Sequence, residues 1–345
     1  MGLRDEILAQ PEVAGRLLER QRVPMAELAA TLHSREIDYV VIAARGTSDH
    51  AAIYAQYLLG TRHRLPVALA TPSILSLYGV TPRFRRALVV GISQSGASPD
   101  VAGVVAAARD QGAPTVAITN DPRSALADAA DHVIDLGAGP ERAVAATKTY
   151  TAQLLAIALL SAALHRDAAF DEAIAGVPEA LGRALAAEPE AKRIARDQAA
   201  LDRCVVLGRG YDYATAREWA LKLKELAYVL AEPYSAADFQ HGPVALVEPG
   251  FSVLAVACGG SASADLVELL RRLRSEQSAE LLVVSDQAET RALGRWSLPV
   301  PDGVAESLMP LVSIVPGQLH AFHLARAKGL DPEAPRHLRK VTRTR

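Results

Sequence analysis

Ala87-Leu88-Val89-Val90-Gly91-Ile92-Ser93-Gln94-Ser95-Gly96-Ala97-Ser98-Pro99-Asp100 decides the fold. The run 87–92 is apolar without alternation, which predicts a strand buried on both faces of a parallel sheet. Ser98-Pro99 reads as an N-cap followed by proline at the first helical position, so a helix is predicted to continue over 101–109. Between strand and helix lie three hydroxyls (Ser93, Ser95 and Ser98), the Gln94 amide and Gly96. Backbone N–H groups and the positive helix end favour an anion in such a turn. The turn has no lysine and does not read G-x-x-x-x-G-K-[ST], which argues against a nucleotide P-loop. A neutral hydroxyl cradle suits a phosphate monoester on a small polyol. Taken alone, the stretch also reads as an ordinary Ser/Gly turn.

Working outward, the same pattern recurs at an offset of about 165 residues. Tyr39-Val40-Val41-Ile42-Ala43-Ala44-Arg45-Gly46 pairs with Cys204-Val205-Val206-Leu207-Gly208-Arg209-Gly210, and 88–95 pairs with 254–261. Thr115-Val116-Ala117-Ile118-Thr119-Asn120 pairs with Leu281-Leu282-Val283-Val284-Ser285-Asp286, and Gln153-Leu154 with Gln318-Leu319. Each half alternates short apolar strands with longer helical segments, the signature of βαβ units. The predicted fold is α/β, with two tandem doubly wound parallel-sheet (flavodoxin-like) subdomains related by duplication. The expected organisation is a helical lead-in over 1–34, domains over 35–166 and 201–329, a helical linker over 167–200, and an irregular tail over 330–345. Functional loops belong at the C-terminal strand ends, where Arg45-Gly46-Thr47-Ser48 and 93–98 both fall.

Composition narrows the function classes. Hydrophobic residues are 50% and charged residues 22% of the 345, as in globular proteins. A net charge of −2 gives no electrostatic case for a nucleic-acid or membrane partner. Cys204 and Cys258 each lie in an apolar run read as strand, so both are expected to be buried structural thiols. The stretch 154–164, taken as the longest apolar run, is too short to span a bilayer. The N-terminus, with Asp5, Glu6 and Glu12, lacks a signal-peptide pattern. A soluble cytoplasmic protein is expected. The nine histidines are dispersed and no metal-ligand spacing occurs, so neither metal nor cofactor is predicted.

Arg217-Glu218-Trp219-Ala220-Leu221-Lys222-Leu223-Lys224-Glu225-Leu226 reads as one helix with Glu218, Lys222 and Glu225 on a common face. Spacing alone suggests a solvated Glu-to-Lys stripe. Downstream, 231–236 reads as a long connection, and Phe239-Gln240-His241-Gly242-Pro243 puts an imidazole on a tight turn. A carboxylate and a histidine beside a phosphosugar pocket suit proton transfer on a sugar. Lys340 lies in the basic run Arg336-His337-Leu338-Arg339-Lys340-Val341, which by composition alone is a solvated end.

Taken together and in order, Arg45-Gly46-Thr47-Ser48, Ile92-Ser93-Gln94-Ser95-Gly96, Ala145-Ala146-Thr147-Lys148-Thr149-Tyr150-Thr151, Leu207-Gly208-Arg209-Gly210, Ala220-Leu221-Lys222-Leu223-Lys224-Glu225, His241-Gly242-Pro243 and Pro335-Arg336-His337-Leu338-Arg339-Lys340 carry a resemblance. The chain resembles the double sugar-isomerase (SIS) domain family, in particular the isomerase half of glucosamine-6-phosphate synthase and the stand-alone SIS-type deaminases. The resemblance implies that Thr47, Ser93, Gln94, Ser95 and Ser98 hold the phosphate, with Val144 lining the sugar site and Ser48 also a substrate-binding residue. It implies that Glu225 moves the proton between C1 and C2, that His241 opens the pyranose ring, and that Lys340 forms a Schiff base at C2. Glu218 and Lys222 would orient the sugar and the catalytic carboxylate. In the family the histidine comes from a neighbouring subunit, so a homodimer with shared active sites is expected.

Two departures refine that expectation. Gly2, not cysteine, follows Met1, so no glutamine hydrolysis is expected, and Ala97-Ser98-Pro99-Asp100 resembles the deaminases more than the synthases. The resemblance then implies a phosphosugar aldose–ketose isomerase/deaminase converting glucosamine 6-phosphate and water to fructose 6-phosphate and ammonia. A fructosamine 6-phosphate deglycase, an ammonia-dependent synthase and a non-catalytic phosphosugar sensor are the alternatives. Glu225 is expected to gain from a raised pKa in a closed pocket, and Lys340 to act as a neutral amine. The tail should fold over the site, with Leu338 and Val341 packed and Arg343 and Arg345 solvated.

Overall fold

The computed structural model describes residues 2–165 and 167–340. Val341, Arg343 and Arg345, on which part of the tail expectation rests, lie outside the described residues. The chain divides into two compact units. One comprises Glu12–Glu141, Lys148–Gly176 and the described residues from Arg339; the other comprises the residues up to Pro11, Arg142–Thr147 and Val177–Leu338.

The first unit is built on β1 (Tyr39–Ala43), β2 (Val67–Leu69), β3 (Ala87–Ser93), β4 (Thr115–Thr119) and β5 (His132–Asp135), all parallel, in the order β2-β1-β3-β4-β5. Every residue of β3 is buried, as its unbroken apolar run requires. Helix Pro99–Arg109 packs Val101, Val104 and Val105 on β3 with Leu126 beside them. Gly91 permits that approach: a Cβ there would lie 2.5 Å from Leu126 Cδ1.

The second unit repeats the plan with β6 (Arg203–Gly208), β7 (Leu230–Ser235), β8 (Ser252–Val256), β9 (Glu280–Ser285) and β10 (Trp296–Pro299), again parallel, in the order β10-β9-β8-β6-β7. Read from β7, this is the order of the first sheet. The fold is therefore the predicted pair of doubly wound α/β subdomains. In each sheet the direction of winding reverses between the first and third strands, at β1/β3 and β6/β8. Ligands of such sheets sit beyond the strand C-termini at that reversal.

Three expectations of the sequence reading are corrected. The segment 231–236 is not a connection: residues 231–235 lie in edge strand β7, where Pro233 costs no interior ladder bond, and Ala236 opens helix Ala236–Gln240. Cys258 lies past the end of β8 rather than within it, although it and Cys204 are both free and buried. The most extensive apolar helix is not 154–164: Glu306–Ala327 is long and apolar enough to cross a membrane, yet its apolar window is wholly buried in the protein. Its helical part, Met309–Ala327, is a core helix on which Trp219 lies so close that a Cβ at Gly317 would be 3.0 Å from the indole Cγ.

Candidate active site

In the first unit, two loops meet at the sheet reversal. β1 ends one residue before Ala44, and Gly46 then caps helix Thr47–His63 with φ +56°. β3 ends at Ser93, and Ser98 caps helix Pro99–Arg109 from extended backbone. Arg45 ties these loops together, donating from Nε to Asp100 Oδ2 at 2.9 Å with Nη2 at 2.8 Å from the same oxygen. Reading the sequence missed this pair; its signal was an acid in the first turn of the helix after Pro99.

Within the turn, Ser93 Oγ accepts from Gly96 N (3.1 Å) and Ser95 Oγ from Ala97 N (3.3 Å). The hydroxyl of Ser98 makes no capping bond. Gly96 adopts φ +61°, and a Cβ there would fall 1.9 Å from Ser124 Oγ, so only glycine closes this turn. Gln94 is half-buried and its carbonyl accepts from Asn120 N at 3.1 Å. Ser48 is buried, with its hydroxyl bonded to Gln153 Nε2 at 2.9 Å, while Thr47 opens the helix. The structure thus gathers Ser93, Gln94, Ser95 and Ser98 into one hydroxyl-lined helix N-terminus, with Thr47 and Ser48 at the neighbouring one.

In the second unit, helix Asp212–Ala227 carries Glu218, Lys222 and Glu225. Lys222 Nζ lies 3.3 Å from Glu218 Oε1 and 2.5 Å from Glu225 Oε2. The Lys222 and Glu218 side chains are 0% exposed and that of Glu225 is 22% exposed, so this is no solvated stripe. Desolvation works against the Lys222 charge, but the Coulombic pull of Glu218 and then Glu225 outweighs it and holds the ammonium above the usual lysine range. His241 is exposed at the C-cap of helix Ala236–Gln240, its N–H donating to Asp238 O at 3.0 Å. Val144 is half-buried in a loop whose Arg142 N and Ala143 N both donate to the buried Glu6 Oε1, at 2.5 and 3.4 Å. Glu6 was not anticipated as a determinant of that loop.

The tail is held at points that composition did not reveal. Glu333 accepts from Leu3 N at 2.8 and 3.0 Å. Arg336 N donates to Tyr228 Oη at 2.7 Å, and its guanidinium stacks 3.9 Å above that ring. Leu338 is 41% exposed, which corrects the expectation that it packs. In the other unit, Lys340 Nζ donates to Glu141 Oε2 at 2.9 Å. The Glu141 side chain is fully buried and also accepts from Thr149 N (3.1 Å) and Oγ1 (2.8 Å).

The turn after β8 is the duplicate of the cradle, and its donors are already used. Cys258 N donates to Asp212 Oδ2 (2.9 Å), Gly259 N to Asp286 Oδ1 (2.8 Å) and Ser261 N to Glu306 Oε1 (2.9 Å). Burial pushes the Asp212 carboxyl up to about 7, against the Cys258 N–H bond and with help from Asp286 and Glu306.

A duplicated, doubly wound α/β protein with a hydroxyl-lined helix N-terminus in one half and a Glu–Lys–Glu trio with two buried members in the other is the class these features define. The chain belongs to the SIS domain family, whose model matches residues 35–163 and 200–325. It is 36% identical over 343 residues to the isomerising glutamine–fructose-6-phosphate aminotransferase of Mycobacterium bovis, covering 95% of this chain and 54% of that protein. The chain spans about half the length of the curated relatives it matches. A Silicibacter pomeroyi DSS-3 structure described as a candidate phosphosugar isomerase is 35% identical with TM-score 0.84, covering 96% of this chain and 100% of that one. The C-terminal domain of glucosamine-fructose-6-phosphate aminotransferase from Francisella tularensis is 26% identical with TM-score 0.86, covering 95% and 96%.

Proposed function

We propose that this chain is an aminosugar-phosphate aldose–ketose isomerase/deaminase that turns glucosamine 6-phosphate and water into fructose 6-phosphate and ammonia. The observation that carries the reading is the trio on helix Asp212–Ala227: two buried charges, Glu218 and Lys222, hold a third, Glu225, that solvent still reaches. A carboxylate fixed by a buried ammonium, with one face open, is a positioned proton carrier. The phosphate is assigned to Ser93, Gln94, Ser95 and Ser98 with Thr47 and Ser48, and the sugar wall to Val144.

The chemistry follows in balanced steps. His241 assists ring opening to the free aldehyde. Glu225 takes the C2 proton of the open-chain 2-amino aldose while O1 gains a proton, giving the enaminol, and returns it to C1 while the amine gives up a proton, giving the C2 imine, so that the O1 and nitrogen transfers cancel. Water adds to that imine, ammonia leaves, and the ketose remains; exchange through Lys340 is an equivalent route in which the lysine amine displaces ammonia before hydrolysis. Lys340 must leave Glu141 and shed its proton before it can condense. His241, exposed on its own chain, is assigned to the site of a second copy in a homodimer.

The names of the curated relatives favour a second reading, in which the same steps run backward and fructose 6-phosphate takes up ammonia. Incubation with glucosamine 6-phosphate, with fructose 6-phosphate plus ammonium, and with fructosamine 6-phosphates separates the possibilities. Ammonia and fructose 6-phosphate from the first substrate are expected. Net synthesis alone would favour the reverse direction, ammonia-free cleavage of the third a deglycase, and no turnover of any a sensor.

A further inference from the structure

The unit that carries Glu225 holds a second polar concavity that no step above uses. A groove of about 730 Å³ lies between helix Glu188–Asp197 and the C-terminal end of helix Met309–Ala327, with Arg4 of helix Leu3–Leu8 at its side. It is lined by four permanent cations, Arg4, Lys192, Arg196 and Arg326, and by one carboxylate, Glu188. Phe322, almost fully buried, and Pro189 give it an apolar floor.

The charges there are unbalanced. Glu188 is already engaged by Arg4, through Nε at 2.6 Å and Nη2 at 2.8 Å, and by His323 Nε2 at 3.0 Å. The Arg4 hydrogen bond, more than any other contact, keeps the Glu188 carboxyl below the usual carboxylate range. Among the described residues Lys192, Arg196 and Arg326 make no ion pair. Lys192 and Arg196 stand at i, i+4, a spacing at which like charges repel. The same helix neutralises its other arginine: Arg193 meets Glu190 at 2.6 Å and Asp197 at 2.8 Å. Unpaired cations are thus confined to the side that faces the groove, in a chain whose net charge is −2.

We propose that this groove binds a small phosphorylated anion carrying two or more negative charges. Glu188 fixes the Arg4 guanidinium so that its Nη1 edge is free of that carboxylate, and a held guanidinium is preorganised for phosphate oxygens. Arg196 and Arg326 supply further forks and Lys192 a point charge, while Phe322 and Pro189 accommodate the organic part of the ligand. None of these residues belongs to the hydroxyl cradle or the Glu225 helix.

The test titrates inorganic pyrophosphate calorimetrically into the full chain carrying Ser93→Ala and Ser95→Ala, which removes the cradle hydroxyls from the measurement. One saturable site is expected, with affinity at least about tenfold weaker in Lys192→Glu and in Arg326→Glu. The charge-matched Arg271→Glu, at an exposed position of helix Ser263–Ser275, should bind as the parent does. Both altered positions are exposed, and equal melting temperatures would exclude misfolding. Equal weakening in all three variants would reduce the groove to diffuse attraction. Absence of a saturable site, or tighter capture of an oligo-glutamate peptide than of pyrophosphate, would overturn the proposal.

Discussion

Glu225 is the one member of its trio that solvent reaches. Glu218 and Lys222 are sealed, and the Lys222 ammonium fixes the Glu225 carboxylate at 2.5 Å. Glu225→Gln keeps shape and hydrogen bonding while removing the proposed proton carrier. Turnover should fall by about two orders of magnitude with KM little changed, and deuterium from solvent should reach C1 of the product only in the native protein. Near-native turnover would move the base elsewhere. A different residue-scale expectation attaches to Asp212, whose carboxyl is pushed up to about 7 by burial. Its folded-state pKa lies above the unfolded value, so the folded state binds the extra proton. The associated stability is fully present below pH 3.8 and is lost as pH rises through about 7. Asp212→Asn can still accept from Cys258 N but does not titrate. Its melting temperature should gain on the native protein mainly between pH 4 and 7, by an amount corresponding to about 3 kcal/mol, and little further above pH 8. Parallel curves would mean the native site charges without strain.

Among the elements, the turn 93–98 shows how far sequence reading carries and where it stops. The buried strand, the Ser98 cap and Pro99 at the first helical position were all legible, because each is a local backbone constraint. That Ser93 and Ser95 brace the turn through Gly96 N and Ala97 N was not, since it depends on closed geometry. The double change Ser93→Ala/Ser95→Ala should therefore cost phosphosugar affinity at least about tenfold and also stability of about 1 kcal/mol, not affinity alone. A loss of stability with affinity unchanged would make both serines purely structural. Lys222 was equally hidden: i, i+4 spacing describes a solvated pair as well as a buried one, and only tertiary packing decides between them. For the tail, composition pointed to solvent and the resemblance to chemistry. The bond from Lys340 to buried Glu141 supplies a reason for it to dock that neither contained. Borohydride reduction with fructose 6-phosphate present should attach one sugar phosphate at Lys340, and Glu141→Gln should change the pH dependence of that labelling. Labelling of Lys148 or Lys222 instead would return the tail to an ordinary chain end.

At the scale of the whole molecule, duplication copied the architecture and not the site. The repeated strand patterns foretold two sheets of identical winding, and the structure has both. What the repeat could not foretell is that its two anion-ready turns have opposite fates. After β3 the turn is lined by serine hydroxyls, and the Ser98 side chain makes no capping bond. After β8 the corresponding N–H groups of Cys258, Gly259 and Ser261 are taken by Asp212, Asp286 and Glu306. These carboxylates come from loops and helices far along the chain, so no local motif announces them. They satisfy the donors that a phosphate would need and repel its charge. One phosphosugar per chain should therefore bind at the hydroxyl turn, despite two copies of the fold. Equilibrium dialysis with glucosamine 6-phosphate on the Glu225→Gln/Lys192→Glu protein, in which turnover is suppressed and the basic groove is weakened, measures the occupancy of the two turns directly. A value of one, falling toward zero in Ser93→Ala/Ser95→Ala, is expected. A second sugar that survives those changes and is lost on substitution of Ser261 would show that the acidic turn opens to ligand after all.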